Sequence, residues 1–300
     1  MKKPGYNISL VFTTLFCILF LSPNAFSWGF YAHKKINRMA VYGVPTALSS
    51  FYKRNIEYIT KHAVDPDKLK FVDSAEGPHH YINLDHYGSL PFAALPKYWK
   101  EAVKKYTEDT LNKYGTLPWE IIYWENKLTD AFKKKDLKMI LRASATIGHY
   151  VADAHVPLHT ISNYNGQKKN QVGIHALWES AIPEAFGDSY PHINGGAVYL
   201  KDPAATIWNI LKQTYPLAPV VLADEREVSS HFTKSQKYLP LKNEEHKIRY
   251  TPAYIAAYNK ALNGMVEKQL RSSAIDVASF WYTAWVNAGQ PDLSGLRASN

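Results

Sequence analysis

The chain has 300 residues, 46% of them hydrophobic and 20% charged, with a formal net charge of +9. Its single cysteine, Cys17, excludes an intrachain disulfide, and the lack of internal repeats, low-complexity stretches and long Gly/Ser linkers leaves one domain as the simplest reading. The basic balance suits anionic partners such as nucleic acid or phospholipid headgroups, and equally a solvated basic surface.

Lys2 and Lys3 precede an uncharged apolar stretch ending near Leu21, followed by Pro23 and by Ala25-Phe26-Ser27 with its small residues at either end. This pattern predicts a secretion signal over 1–27 that is cleaved to leave Trp28 first, so the mature protein, 28–300, is expected to be secreted or periplasmic. The run is shorter than the ~20 residues of a spanning helix and none that long follows, so no stable membrane insertion is expected. Thr14-Leu15-Phe16 ahead of Cys17 lacks the small residues of a lipoprotein processing site.

After the cut, Trp28-Gly-Phe-Tyr-Ala-His33 would set a terminal amine beside an imidazole, and a helix is expected over 33–51. Asp65-Pro66-Asp67-Lys68 and His79-His80-Tyr81-Ile82-Asn83 then supply a carboxylate and an imidazole. Asp65 before Pro66 also suits the opening of a turn, and His79 or His80 an exposed side chain. Helices are expected over 97–113 and 119–134. Over 136–156, Leu137, Ile140, Leu141, Ile147 and Val151 fall on one stripe at helical spacing, with Pro157 as the stop. Further helices are expected over 174–186, 203–215 and 217–231, and an exposed loop over 237–251. From Tyr258 to Trp285 the 3.6-residue pattern resumes, while strand-like alternation is nearly absent. These features predict an all-α fold, a single globular multi-helix domain.

The chemistry concentrates in His149-Tyr-Val-Ala-Asp153-Ala-His-Val-Pro-Leu-His159 and in His175-Ala-Leu-Trp-Glu179. Each begins with an i, i+4 pair, which on a helix projects from one face and can chelate one ion. Mixed imidazole and carboxylate ligands suit zinc. The same spacing also suits a surface ion pair. Pro157 breaks the helix before His159, which lets that ring point away from the stripe. His155 lies off the His149/Asp153 face and reads as structural.

Together these residues resemble the superfamily of bacterial zinc-dependent phospholipases C and secreted single-strand-specific zinc nucleases of the S-one/P-one type. The resemblance runs from Trp28 to Glu179, about half the chain, and its strongest signature is His149, Asp153, Pro157, Leu158 and His159. It implies three zinc ions in a cleft of a helical globule. Asp65, His80, His149 and Asp153 would hold one ion, Trp28, His33 and again Asp153 its neighbour, and His159, His175 and Glu179 the third. It also implies phosphodiester hydrolysis by a zinc-bridged hydroxide, with Asp65 and Asp153 in catalytic positions and Lys68 where the nuclease branch carries an arginine. Tyr81 stands where that branch uses an aromatic near the nucleobase, and Asn83 replaces a base-contacting aspartate.

The short Trp28 to His33 spacing, the His80-Tyr81-Ile82 run and the positive charge favour an endonuclease acting on single-stranded nucleic acid. Glu179 as the final ligand and the missing disulfides point to the alternative, a zinc-dependent phospholipase C. A non-catalytic exported zinc-binding protein is the second alternative, and no protein partner is indicated. His62, His79, His86, His155, His192, His231 and His246 are assigned to surface or structural roles, and the tryptophans from Trp99 onward to the core.

Overall fold

Helices Phe30–Gly43 (α1), Leu117–Lys134 (α2), Leu137–Asp153 (α3) and Met265–Asn287 (α4) frame the core, and α3 lies at its centre. The computed structural model describes residues 29–191, 196–240 and 248–296. The expected secretion signal and Trp28 fall outside the described residues, as does 241–247 of the expected loop. Among the described residues the chain is all-α, with one isolated bridge between Tyr238 and Tyr250, and no helix is long and apolar enough to cross a membrane.

The α2–α3 hairpin turns on two residues. Lys135 takes a positive φ of 53° and closes α2, and Asp136 caps α3 by accepting the Met139 amide at 3.0 Å. The apolar stripe expected over 136–156 widens in the structure: every residue of α3 from Ala143 to Asp153 is buried, because α1, α2 and α4 all pack on it. Ser144 fastens α4, its carbonyl accepting Trp281 Nε1–H at 2.9 Å, while the Tyr52 ring stacks on the Trp281 indole at 4.6 Å. Gly148 does the same for α1. A Cβ there would stand 2.1 Å from Asn37 Oδ1, so with Asn37 in place glycine lets the two helices cross this closely. That crossing stacks His33 of α1 on His149 of α3, with ring centroids 3.8 Å apart.

Several expected helices are divided. The one over 33–51 breaks at Gly43-Val44-Pro45, since Pro45 has no amide hydrogen to continue it, and Thr46–Arg54 starts afresh. Thr107, at φ 66°, splits 97–113 into Trp99–Tyr106 and Glu108–Tyr114. Gly264, at φ 77°, divides the C-terminal pattern into Pro252–Ala261 and α4. The exposed loop expected over 237–251 is anchored at both ends. Lys237 is buried with its ammonium 2.5 Å from Glu225 Oε1, and Tyr250 is buried against Tyr254.

Candidate metal centre

Helix α3 sets His149 and Asp153 on one face, with His149 Nε2 3.3 Å from Asp153 Oδ2. His80, at the end of the 3-10 helix Ser74–His80, brings Nδ1 to 2.9 Å from the same oxygen and 3.0 Å from His149 Nε2. Asp67 completes the group, its Oδ1 3.8 Å from both His80 Nδ1 and His149 Nε2. Bonds of about 2.0–2.1 Å place neighbouring ligand atoms of a tetrahedral zinc about 3.4 Å apart. The four atoms bracket that spacing.

Asp153 turns its second oxygen the other way. Oδ1 lies 3.4 Å from His33 Nε2, and Asp67 Oδ2 lies 3.9 Å from that same nitrogen. One carboxylate thus faces histidines on both sides, as a shared ligand must. His149 Nδ1 is 2.8 Å from the carbonyl of Ala63, which accepts its N–H and leaves Nε2 bare toward the group.

The other group forms on two short elements. His159 lies in the 3-10 turn Pro157–Thr160, where Pro157 redirects the chain, and its Nδ1–H donates to the His80 carbonyl at 2.6 Å. Its Nε2 is thereby aimed 3.0 Å from His175 Nε2 and 3.5 Å from Glu179 Oε2. His175 Nε2 stands 2.9 Å from the same Glu179 oxygen. Glu179 sits in a π-helical turn, Leu177–Ala181, between helical Ile174–Ala176 and Ile182–Phe186, the kind of bulge that recurs at functional sites. The amide of Gly29 donates to the Glu179 carbonyl at 3.0 Å, so the chain just after Trp28 runs against this segment.

Three overlapping groups, His33/Asp67/His149, His80/His149/Asp153 and His159/His175/Glu179, each hold their ligand atoms within 4.8 Å, and every member is buried. Both ring nitrogens of His33 and both oxygens of Glu179 lack a hydrogen-bond partner among the described residues. A buried carboxylate without a donor is costly, and a bound cation removes that cost. The donors are imidazole and carboxylate alone, without sulfur, which fits zinc. Burial, then the neighbouring His149, pushes His33 down to about 4, and burial with the Lys70 ammonium pushes His175 down to about 3. Both rings are therefore neutral, the state a ligand needs. Burial raises Glu179 to about 8, whereas for Asp153 the effect of burial is overcome by His149 and His159, which hold it well below the usual carboxylate range.

Asp65, expected among the ligands, stands outside the group with its side chain 46% exposed, 2.5 Å from His62 and 2.9 Å from Lys68; Asp67, two residues on, is buried beside the histidines. Lys68 faces solvent beside Asp65, while Lys70 sets its ammonium 2.7 Å from Asp67 Oδ1. The sequence contained a sign of this: Asp67/Lys70 repeats the i, i+3 spacing of Asp65/Lys68. Glu76 was also missed. It is buried, bonded to the Tyr150 hydroxyl and 3.3 Å from His80 Nε2, on the side of that ring facing away from the group. His33, His80, His149, Asp153, His159, His175 and Glu179 all fall within the three groups. Tyr81 is half-buried against Gly115, and the Asn83 amide donates to the Tyr114 carbonyl at 2.7 Å. His155 lies outside the groups, 3.0 Å from Asp276.

Among solved structures the chain is similar to Alpha Toxin from Clostridium Absonum, with a TM-score of 0.53 at 14% identity. The match covers 87% of this chain and 65% of the toxin, and at that identity it shows a shared fold. No protein-family model matches the sequence, and no curated protein does.

Proposed function

We propose that this protein is an exported zinc-dependent hydrolase of phosphodiester bonds whose substrate is phospholipid. The observation that carries the hydrolase reading is Asp153, one fully buried carboxylate whose two oxygens face His80 and His149 on one side and His33 on the other. Asp67, His80, His149 and Asp153 would hold one ion, and His33 and Asp153, with the amine of a processed Trp28, a second. His159, His175 and Glu179 would hold a third. Bound zinc supplies Lewis acidity and lowers the pKa of a coordinated water toward ~7.

The chain's own groups orient and balance. The carbonyls of Ala63 and His80 fix the tautomers of His149 and His159. Lys70, one-fifth exposed, places a positive charge at the rim where a phosphoryl group would carry negative charge. As a lysine it offers a point charge and no bidentate fork.

The sequence alone puts single-stranded nucleic acid first. Three observations support phospholipid instead: the fold shared with a toxin, Glu179 as the last ligand, and Tyr81, which is half-buried against Gly115 and so poorly placed as a stacking platform. The test is hydrolysis of phosphatidylcholine vesicles, single-stranded DNA and bis(p-nitrophenyl) phosphate by the zinc-loaded protein, before and after chelation. Chelator-sensitive hydrolysis of lipid and of the soluble ester is expected. Activity on DNA alone would restore the nuclease reading, and no activity on any substrate would leave a zinc-binding protein.

A further inference from the structure

The turn after Asp67 runs directly from the buried metal-binding groups to an exposed apolar tip. Leu69 is 39% exposed, Phe71 56% and Val72 83%. Apolar residues scattered singly over a surface are ordinary; three within four positions of the chain, beside the buried Asp67, are not.

The amides of the tip are internally satisfied. The amides of Phe71, Val72 and Asp73 donate to the carbonyls of Lys68, Leu69 and Leu69 at 3.2, 2.9 and 2.8 Å. Such a turn can approach the bilayer interface without stranding those amides. Both of its lysines are paired as well. Lys68 pairs with Asp65 at 2.9 Å and Lys70 with Asp67 at 2.7 Å, while the Asp73 carboxylate accepts the Ala75 amide at 2.9 Å. A nucleic acid would require lysines in excess at this point. A bilayer interface takes apolar side chains, and the +7 that remains when the +9 of the whole chain loses Lys2 and Lys3 draws the processed protein to an anionic surface.

We infer that the tip formed by Leu69, Phe71 and Val72 docks the protein on an anionic phospholipid bilayer, seating the cleft against its substrate. The inference deepens the phospholipid reading and rests on it.

The test is co-sedimentation of the mature protein, 28–300, with vesicles of phosphatidylcholine containing a minor share of phosphatidylserine. Phe71→Ser/Val72→Ser is expected to lower the partition coefficient about tenfold or more, since two apolar side chains lose their burial. Phe71→Leu/Val72→Ile should keep it, and so should Leu90→Ser, which alters another exposed apolar residue (72%) away from this turn. Thermal melting separates lost docking from lost folding. An unchanged partition in the Ser/Ser variant overturns the inference, as does an equal loss in Leu90→Ser or a wild-type protein that ignores vesicles. The two readings fail separately. Tip-dependent partition without hydrolysis of lipid or soluble ester would sink the enzymatic reading alone, and lipid hydrolysis with tip-independent partition would sink the docking alone.

Discussion

The ammonium of Lys70 lies 2.7 Å from Oδ1 of Asp67, and that carboxylate is fully buried. Two residues earlier the same spacing recurs in Lys68 and Asp65, on the solvent side. The two pairs make opposite predictions. Asp67→Asn should abolish hydrolysis of a soluble phosphodiester and lower the zinc content, while Asp65→Asn should change either by less than about twofold. Lys70→Ala should lower kcat about 10²-fold, the usual cost of removing a preorganised positive charge from a phosphoryl transition state, and Lys68→Ala should leave it unchanged. The reverse ranking, measured with elemental analysis alongside kinetics, would return the role to Asp65.

Why the sequence pointed to Asp65 while the structure buries Asp67 has a physical answer. His149/Asp153 and His175/Glu179 were legible because helical geometry alone sets i and i+4 on one face, and His159 because Pro157 must end the helix. Which of Asp65 and Asp67 turns inward depends on how the short helix Asp65–Leu69 docks against α3, a tertiary fact that periodicity over five residues does not encode. Glu76 was equally hidden. Its meaning comes from proximity to His80 and Tyr150, not from spacing. The all-α class was plain in the sequence, but the breaks at Pro45 and Thr107 were not, because the apolar pattern continues across both.

Glu76 acts through His80. Its carboxylate, 3.3 Å from Nε2, favours a ring whose Nδ1 points at Asp153, and His79 and Tyr150 hold that carboxylate in turn. Although burial would raise Glu76, its contacts with His79, His80 and Tyr150 bring it down to about 2, so it is ionised at neutral pH. Glu76→Gln should weaken zinc affinity about 10- to 100-fold, the usual effect of losing the group that orients a histidine ligand. A competition titration against a chelating dye reads this directly. Affinity equal to wild type, with the variant folded, would show that His80 is oriented by its backbone alone.

Acid should destabilise the metal-free protein, and the sign follows from the buried groups. His33 and His175 have folded pKa values depressed to about 4 and about 3, so below pH ~6.5 the unfolded chain binds protons that the native state refuses. Each contributes a loss of about 1.4 kcal/mol per pH unit as pH falls through that window. Glu179, raised to about 8, opposes one of them down to pH ~4.5, because there the native state holds the proton and the unfolded chain does not. The slope these three groups give between pH 6.5 and 4.5 should thus be about 1.4 kcal/mol per unit, lessened where Glu120 and Glu125, both raised by burial, also hold protons, and steepening below as Asp67, Asp153 and Glu76, all depressed, protonate on unfolding. With zinc, Glu179 stays a carboxylate, its opposition disappears, and the acid slope should be steeper from a higher starting stability. Urea unfolding across pH, with and without chelator, measures both slopes. A flat metal-free profile down to pH 4.5 would contradict this assignment of buried neutral imidazoles.

Gly148 links helix packing to the stacking of His33 on His149. A methyl group there would fall 2.1 Å from Asn37 Oδ1, and Asn37 is held by its own Nδ2–H donating to the His33 carbonyl at 3.2 Å. Gly148→Ala should therefore push α1 off α3 where His33 stacks on His149, costing about 1–3 kcal/mol of stability, typical of overpacking a filled core. Zinc content should fall with it, because His33 is displaced from Asp153. Truncating the obstacle should reverse the effect: in Gly148→Ala/Asn37→Ala the clash is gone, and both stability and zinc content should recover beyond the sum of the single substitutions. If the double variant is as poor as the two losses added, Gly148 matters for reasons other than the approach of Asn37. If Gly148→Ala alone keeps full zinc content, His33 reaches Asp153 without depending on that crossing.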